Sequence, residues 1–226
     1  MNLEYIIYNL VVVSGPLSLS FDKRVRYVNH WRRALTAAFI TLVPFVIWDM
    51  LVTDRHWWFN PFHTFPVRIL GLPIGEWLFF ITVPFACLFI WSILNSYYTE
   101  KHFSFTVPKF LILIVALAGV AFFTVGKEYT GIVLAVFTFT LWLDIISGFF
   151  LQRRKLFLIL MAIVAGLILI FNGFLTARPV VLYGIQYQLD WRIYTIPVED
   201  FLYGISHIFL TVLAFEWLKK GDKNAA

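Results

Sequence analysis

Four carboxyl groups stand inside or beside apolar stretches of the chain: Asp49, Glu76, Glu199 and Asp200. A charged carboxylate at membrane depth costs about 2.5–3.5 kcal/mol on insertion scales. It escapes that cost by pairing, by reaching the interface or by holding a proton. A carboxyl that keeps a proton in oily surroundings can serve as an acid, and a second, ionised one as a base. Glu76 set against Glu199 and Asp200 is the expected catalytic pair, with Asp49 as a further candidate. Which group is acid and which is base stays open at this point. Trp48, Trp77, Phe79, Phe201 and Tyr203 flank these acids, and aromatic π faces stabilise carbocations. They are candidate substrate-binding walls, together with Asn172. Arg68 and Arg192 are candidates on two grounds: they hold an ionised carboxylate, or they anchor loops at the interface. The chain holds 9 Trp, 10 Tyr and 25 Phe. Part of that inventory is the ordinary interfacial belt, which Trp57, Trp58 and Phe59 fit equally well.

Other chemistries lack their residues. The 5 His (His30, His56, His63, His102, His207) are scattered and the 1 Cys, Cys87, has no partner for a disulfide, so no metal site is expected. His207 alone shares a helix with a candidate acid. No Gly-x-Gly-x-x-Gly or P-loop motif occurs, so no cofactor is expected. No pair of Asp-rich motifs suits magnesium diphosphate. Glu216 with Lys219 and Lys220 reads as a solvated helix-surface pair, and Asp144 as a buried hydrogen-bonding group.

The elements that must position these groups follow from composition. Of 226 residues, 61% are hydrophobic and 14% charged. Soluble domains carry about 25% charge, so a soluble domain and a disordered chain are both excluded. Seven stretches approach the roughly 20 apolar residues of a span: 3–19, 34–52, 76–98, 110–125, 130–151, 156–176 and 198–218. Their continuous hydrophobicity favours helices over barrel strands. The first stretch has neither a basic flank nor a small-residue cleavage site and reads as a retained span. Lys23, Arg24, Arg26, Arg32, Arg33, Lys101, Lys109, Arg153, Arg154, Lys155, Lys219, Lys220 and Lys223 fall in odd-numbered loops and the C-terminus. The other side holds only Arg55, Arg68, Lys127, Arg178 and Arg192. The positive-inside rule then places the N-terminus outside and the C-terminus in the cytoplasm of a multi-pass cell-membrane protein. The net charge of +5 reflects loops facing anionic lipid, not nucleic acid.

An internal repeat sets the architecture. Ile47-Trp48-Asp49-Met50-Leu51-Val52-Thr53 is echoed by Ile170-Phe171-Asn172-Gly173-Phe174-Leu175-Thr176. Arg68-Ile69 and Pro73-Ile74-Gly75-Glu76-Trp77 are echoed by Arg192-Ile193 and Pro197-Val198-Glu199-Asp200-Phe201, with identical Arg-to-Pro and Pro-to-acid spacing. The expected fold is an all-α integral membrane protein. Seven transmembrane helices form two parallel three-helix repeats plus a linker helix. Residues 1–226 make one membrane domain: repeat A at 1–105, the linker at 106–128 and repeat B at 129–226. Two such pseudo-symmetric units could enclose a common cavity. Proline just before a helix and carboxylates in its first turn also make a well-capped start, which is the simplest structural role of the motif.

Trp48-Asp49, Trp57-Trp58-Phe59, Pro73-Ile74-Gly75-Glu76-Trp77-Leu78-Phe79-Phe80 and Pro197-Val198-Glu199-Asp200-Phe201 resemble the integral-membrane lycopene cyclase domain family. The chain looks like the fused, two-repeat form, over nearly its whole length. It departs from the family at Gly75-Glu76, where two adjacent acids are common; only Glu76 carries that copy's role. The resemblance implies cyclisation of the linear ends of lycopene to ionone rings, by an isomerase acting through a carbocation. Linear carotene and membrane lipid are the implied partners, and a homo-oligomer is compatible with them. Three rivals remain in view. A carotenoid end-group hydratase shares the size. A proton-coupled transporter shares intramembrane acids, although its repeats are normally inverted. A retinal-binding receptor needs a lysine midway along the last helix, where this chain has lysines only at the tip.

Overall fold

A computed structural model describes residues 3–98, 108–149 and 155–224. Lys101, His102, Arg153, Arg154 and the boundary expected between residues 105 and 106 lie outside the described residues. Eight helices follow in order: α1 (Glu4–Leu19), α2 (Trp31–Val52), α3 (Ile74–Tyr97), α4 (Lys109–Thr124), α5 (Glu128–Ser147), α6 (Lys155–Leu167), α7 (Gly173–Ala177) and α8 (Val198–Asn224). A wide π turn, Ile168–Asn172, joins α6 to α7, so that Lys155–Ala177 is one continuous apolar segment.

Among the described residues, five segments are long and apolar enough to cross a membrane: Tyr27–Val52, Ile74–Tyr97, Glu128–Ser147, Lys155–Ala177 and Val198–Gly221. The expected spans at 3–19 and 110–125 are shorter apolar helices, α1 and α4, of 16 residues each. At 1.5 Å per residue each is about 24 Å long, against a hydrocarbon core of about 30 Å. The fifth stretch also stops earlier than expected. Gly148, at φ 64°, takes the left-handed conformation that ends α5 after Ser147.

The chain divides into two compact units. Unit one comprises residues 1–98, 178–182 and 210–226, so it holds α1, α2, α3 and the second half of α8. Here α3 packs on both α1 and α2. The Thr41 and Thr211 hydroxyls meet at 2.9 Å and tie α2 to α8. Glu216 is not the solvated group expected from its neighbours. It is buried and accepts a hydrogen bond from Trp91 Nε1 at 2.9 Å, while Lys219 stands 3.7 Å away. At the start of α1, Glu4 accepts hydrogen bonds from Arg178 at 2.9 and 3.3 Å and lies 3.0 Å from His63 Nδ1.

Unit two comprises residues 99–177 and 183–209. Its α4 and α5 form a close hairpin in which glycines let the backbones approach. A Cβ on Gly131 would lie 2.8 Å from the Gly119 carbonyl oxygen and 2.7 Å from Phe123 Cβ. Asp144, on α5, is buried as expected. Phe157 packs on Phe209 with ring centroids 4.5 Å apart, joining α6 to α8.

The α1–α3 contact in unit one depends on another glycine. A Cβ on Gly75 would fall 2.6 Å from the Tyr5 ring. Beside it Asn9 donates to the Tyr5 and Gly75 carbonyls at 2.8 and 2.9 Å, and Thr82 donates to Asn9 Oδ1 at 2.6 Å. A side chain at position 75 must therefore displace the tyrosine. Gly75→Ala is expected to cost about 1–3 kcal/mol of stability by overpacking. In a Tyr5→Ala background the same change should cost little, giving a strong coupling in a double-mutant cycle read by thermal unfolding in detergent. Equal costs in both backgrounds would refute the packing argument.

Candidate active site

The repeated Arg…Pro…acid spacing is a hairpin running straight into a helix. In unit one, β2 (Arg68–Ile69) pairs antiparallel with β3 (Leu72–Pro73), Arg68 opposite Pro73. In unit two, β5 (Arg192–Ile193) pairs with β6 (Ile196–Pro197) in the same register, Arg192 opposite Pro197. Leu70 and Tyr194 open the two turns with φ of 52° and 60°. Gly71, at φ 86°, completes the first as a two-residue turn with both central residues left-handed. Each hairpin ends on its proline, and the following helix, α3 or α8, starts at the next residue. Glu76, Glu199 and Asp200 thus fall in the first turn of their helices, where free N–H groups and the helix dipole favour a carboxylate.

All four candidate acids are buried: Asp49 is 2% exposed, Glu76 8%, Glu199 3% and Asp200 6%. Unit one brings Asp49 and Glu76 within electrostatic reach of each other. The Tyr5 hydroxyl donates a hydrogen bond to Glu76 Oε2. Trp57 Nε1 donates to Asp49 Oδ1 at 2.7 Å, and Thr53 Oγ1 approaches the same oxygen at 3.4 Å. Asp49 Oδ2 is buried without a hydrogen-bond partner among the described residues.

Unit two holds Asp200 more tightly. The Tyr129 hydroxyl donates to Oδ1 at 2.6 Å. Oδ2 accepts from Asn172 Nδ2 at 2.7 Å and from the Tyr183 hydroxyl at 2.6 Å. These donors come from α5, from the end of the π turn and from β4 (Val181–Tyr183). Glu199 Oε1 accepts from Thr130 Oγ1 at 2.6 Å and from the Leu189 N–H at 2.8 Å. Its other oxygen, like Asp49 Oδ2, is buried without a hydrogen-bond partner among the described residues.

Of the expected flanking groups, Trp48 packs between Phe45 and Trp57, and Phe79 stacks on Tyr8. Trp77 Nε1 donates to the Ile69 carbonyl at 3.1 Å and so fastens the first hairpin to α3. Phe201 and Tyr203 are half-buried near the start of α8. The two arginines bond locally. Arg68 donates to Thr64 Oγ1 at 3.2 Å, and Arg192 to Asp190 and to the Thr195 carbonyl at 3.3 and 3.0 Å.

Tyr5, Tyr129, Tyr183 and Thr130 escaped the sequence reading, as did the part played by Trp57. A signal for two of them was present. Tyr5 and Tyr129 each follow a glutamate, and each stands 71 residues before the acid it binds.

No curated protein and no solved structure matches the chain. A family model described as lycopene cyclase matches it twice, at residues 2–94 and 126–218. The two matches are of equal length, each runs from the tyrosine-bearing helix through the hairpin to the acid-bearing helix, and together they cover most of the 226 residues. The chain belongs to the lycopene cyclase family, as a two-repeat member whose apolar helices make it a membrane protein.

Proposed function

We propose that the protein is a lycopene β-cyclase, an isomerase that closes the linear ends of lycopene into β-ionone rings. The observation that carries this reading occurs in both copies of the family match: a buried carboxyl at a helix start, gripped by a tyrosine hydroxyl, among apolar helices. Proton transfer to and from a hydrocarbon needs such groups. A proton added at C2 of the substrate's terminal double bond leaves a cation at C1. The C5=C6 bond attacks C1, forming the C1–C6 bond and moving the cation to C5. Loss of the C6 proton completes the β ring. Protons in and out balance, and nothing is oxidised or reduced, so an acid, a base and cation-stabilising walls suffice. The carboxyls are Asp49 and Glu76 in one repeat and Glu199 and Asp200 in the other. Trp48, Trp77, Phe79, Phe201 and Tyr203 are the aromatic walls. Asn172 contributes by orienting Asp200, and Arg68 and Arg192 by fixing the hairpins.

The same reading takes α1, α2 and α3 as one repeat, α5, α6–α7 and α8 as the other, and α4 as the linker. All seven apolar segments then cross a cell membrane, with the N-terminus outside. Substrate enters from the lipid, where a C40 polyene dissolves.

Expression in lycopene-accumulating cells should convert lycopene to mono- or bicyclic carotene. Unchanged lycopene beside well-expressed protein would refute the proposal. Glu76→Gln and Asp200→Asn should each lower turnover by orders of magnitude while protein remains in the membrane fraction; near-normal product from both would remove the acid–base assignment. Topology has its own test, because Cys87 is buried and is the only native thiol. A cysteine placed at the exposed Asp190 should react with an impermeant maleimide on intact cells, and one at Lys220 only after permeabilisation. The opposite pattern would invert the orientation.

A further inference from the structure

The two copies share one donor and differ at two others. Tyr5 and Tyr129 are equivalent, each on the first helix of its repeat and each bound to the acid. Asn172, which donates to Asp200, is matched in the first repeat by Asp49, whose carboxylate has no N–H to give. Tyr183, which also donates to Asp200, is the third residue of a three-residue strand. The third residue of the corresponding strand, β1 (Trp57–Phe59), is Phe59, which has no hydroxyl. The first copy therefore presents Glu76 with one tyrosine donor and a neighbouring carboxyl. The second presents Asp200 with three donors on two oxygens. Three donors aimed at one carboxyl complement its ionised form, which accepts at both oxygens and donates from neither.

We propose that the second repeat is the proton-accepting one, with Asp200 as the base that ends the reaction and Tyr129, Asn172 and Tyr183 as positioning residues that choose which proton it removes. This rests on the cyclase reading. The C5 cation can lose a proton from three neighbours. Removal from C6 gives the β ring, from C4 an ε ring with a C4=C5 bond, and from the C5 methyl an exocyclic double bond. In each case the C–H electron pair forms the new C=C bond and the proton passes to the carboxylate. The three sites differ only in place, so the position of the base decides among them. Donors on α5, on the π turn and on β4 pin Asp200 from separate elements, whereas Glu76 is held by Tyr5. The π turn has a part in this, because a wide turn at Ile168–Asn172 sets the direction in which Asn172 projects from the α6–α7 segment.

The test is ring composition, which is read per molecule of product and does not depend on expression level. The full chain and the Tyr129→Phe, Tyr183→Phe and Asn172→Leu variants are expressed in lycopene-accumulating cells, and the end groups of the extracted carotenes are identified by chromatography and magnetic resonance. Each variant should still cyclise lycopene, with a ratio of ε and exocyclic to β end groups raised about tenfold or more, tenfold being the lower end of what one lost hydrogen bond to a charged group carries. Unchanged ring composition in all three variants would overturn the proposal. So would complete loss of cyclised product from all three while they persist in the membrane, because a positioning role leaves the base itself in place. Wild-type protein that forms no cyclised carotene would overturn the cyclase reading and this inference with it, a result distinct from cyclised product of unchanged composition.

Discussion

A carboxyl buried among apolar helices must be given hydrogen-bond donors by the protein, since the surrounding hydrocarbon has none. The structure meets that demand in both repeats with a tyrosine on the first helix and the acid at the start of the third. Each such bond, to a charged or nearly charged group, is worth about 1.5–3 kcal/mol. That is close to the cost of about 2.5–3.5 kcal/mol for a charged group at membrane depth. The tyrosine thus offsets most of the penalty that makes intramembrane acids rare. It also obliges the first and third helices of each repeat to stay in contact, so the placement of the acid and the helix packing rest on one interaction.

The hairpin ahead of each third helix serves the same constraint. Its register sets Arg68 opposite Pro73 and Arg192 opposite Pro197, so the helix begins at a set distance from the turn. A slip of one residue would turn the acid away from its tyrosine. In the first copy Tyr5 lies so close to position 75 that any side chain there must displace it. The second copy leaves room for Glu199, and Thr130 and the Leu189 N–H hold it.

Much of this was legible in the sequence, for identifiable reasons. The apolar stretches come from composition alone, and the acids stand out because such stretches rarely carry them. The repeat was visible where Arg, Pro and acid recur in register. What was missed was long-range. Tyr5 and Tyr129 lie 71 residues from their partners, and tyrosine in a membrane protein passes for part of the interfacial belt. Trp57 was hidden by the same ambiguity. Glu216 looked solvated because Lys219 and Lys220 follow it, yet its partner Trp91 is 125 residues away. The hairpins could not be read from alternation, since their strands are two residues long. Helices α1 and α4 gave the weakest span signals, and they are the two shorter apolar helices.

Duplication followed by divergence suits a reaction that starts by giving a proton and finishes by taking one. Two identical sites would compete for the same role, because equal environments give equal proton affinities. Among the many positions at which the copies differ, three lie beside the acids: Asp49 where the second copy has Asn172, Phe59 where it has Tyr183, and Gly75 where it has Glu199. Each changes the donors or the charge around a carboxyl and leaves the helices and hairpins alone. Asn172 gives an N–H to Asp200, whereas Asp49 adds a second carboxyl beside Glu76. One scaffold used twice can therefore hold its acids in unlike environments, as a reaction with a proton entering at one carbon and leaving from another requires.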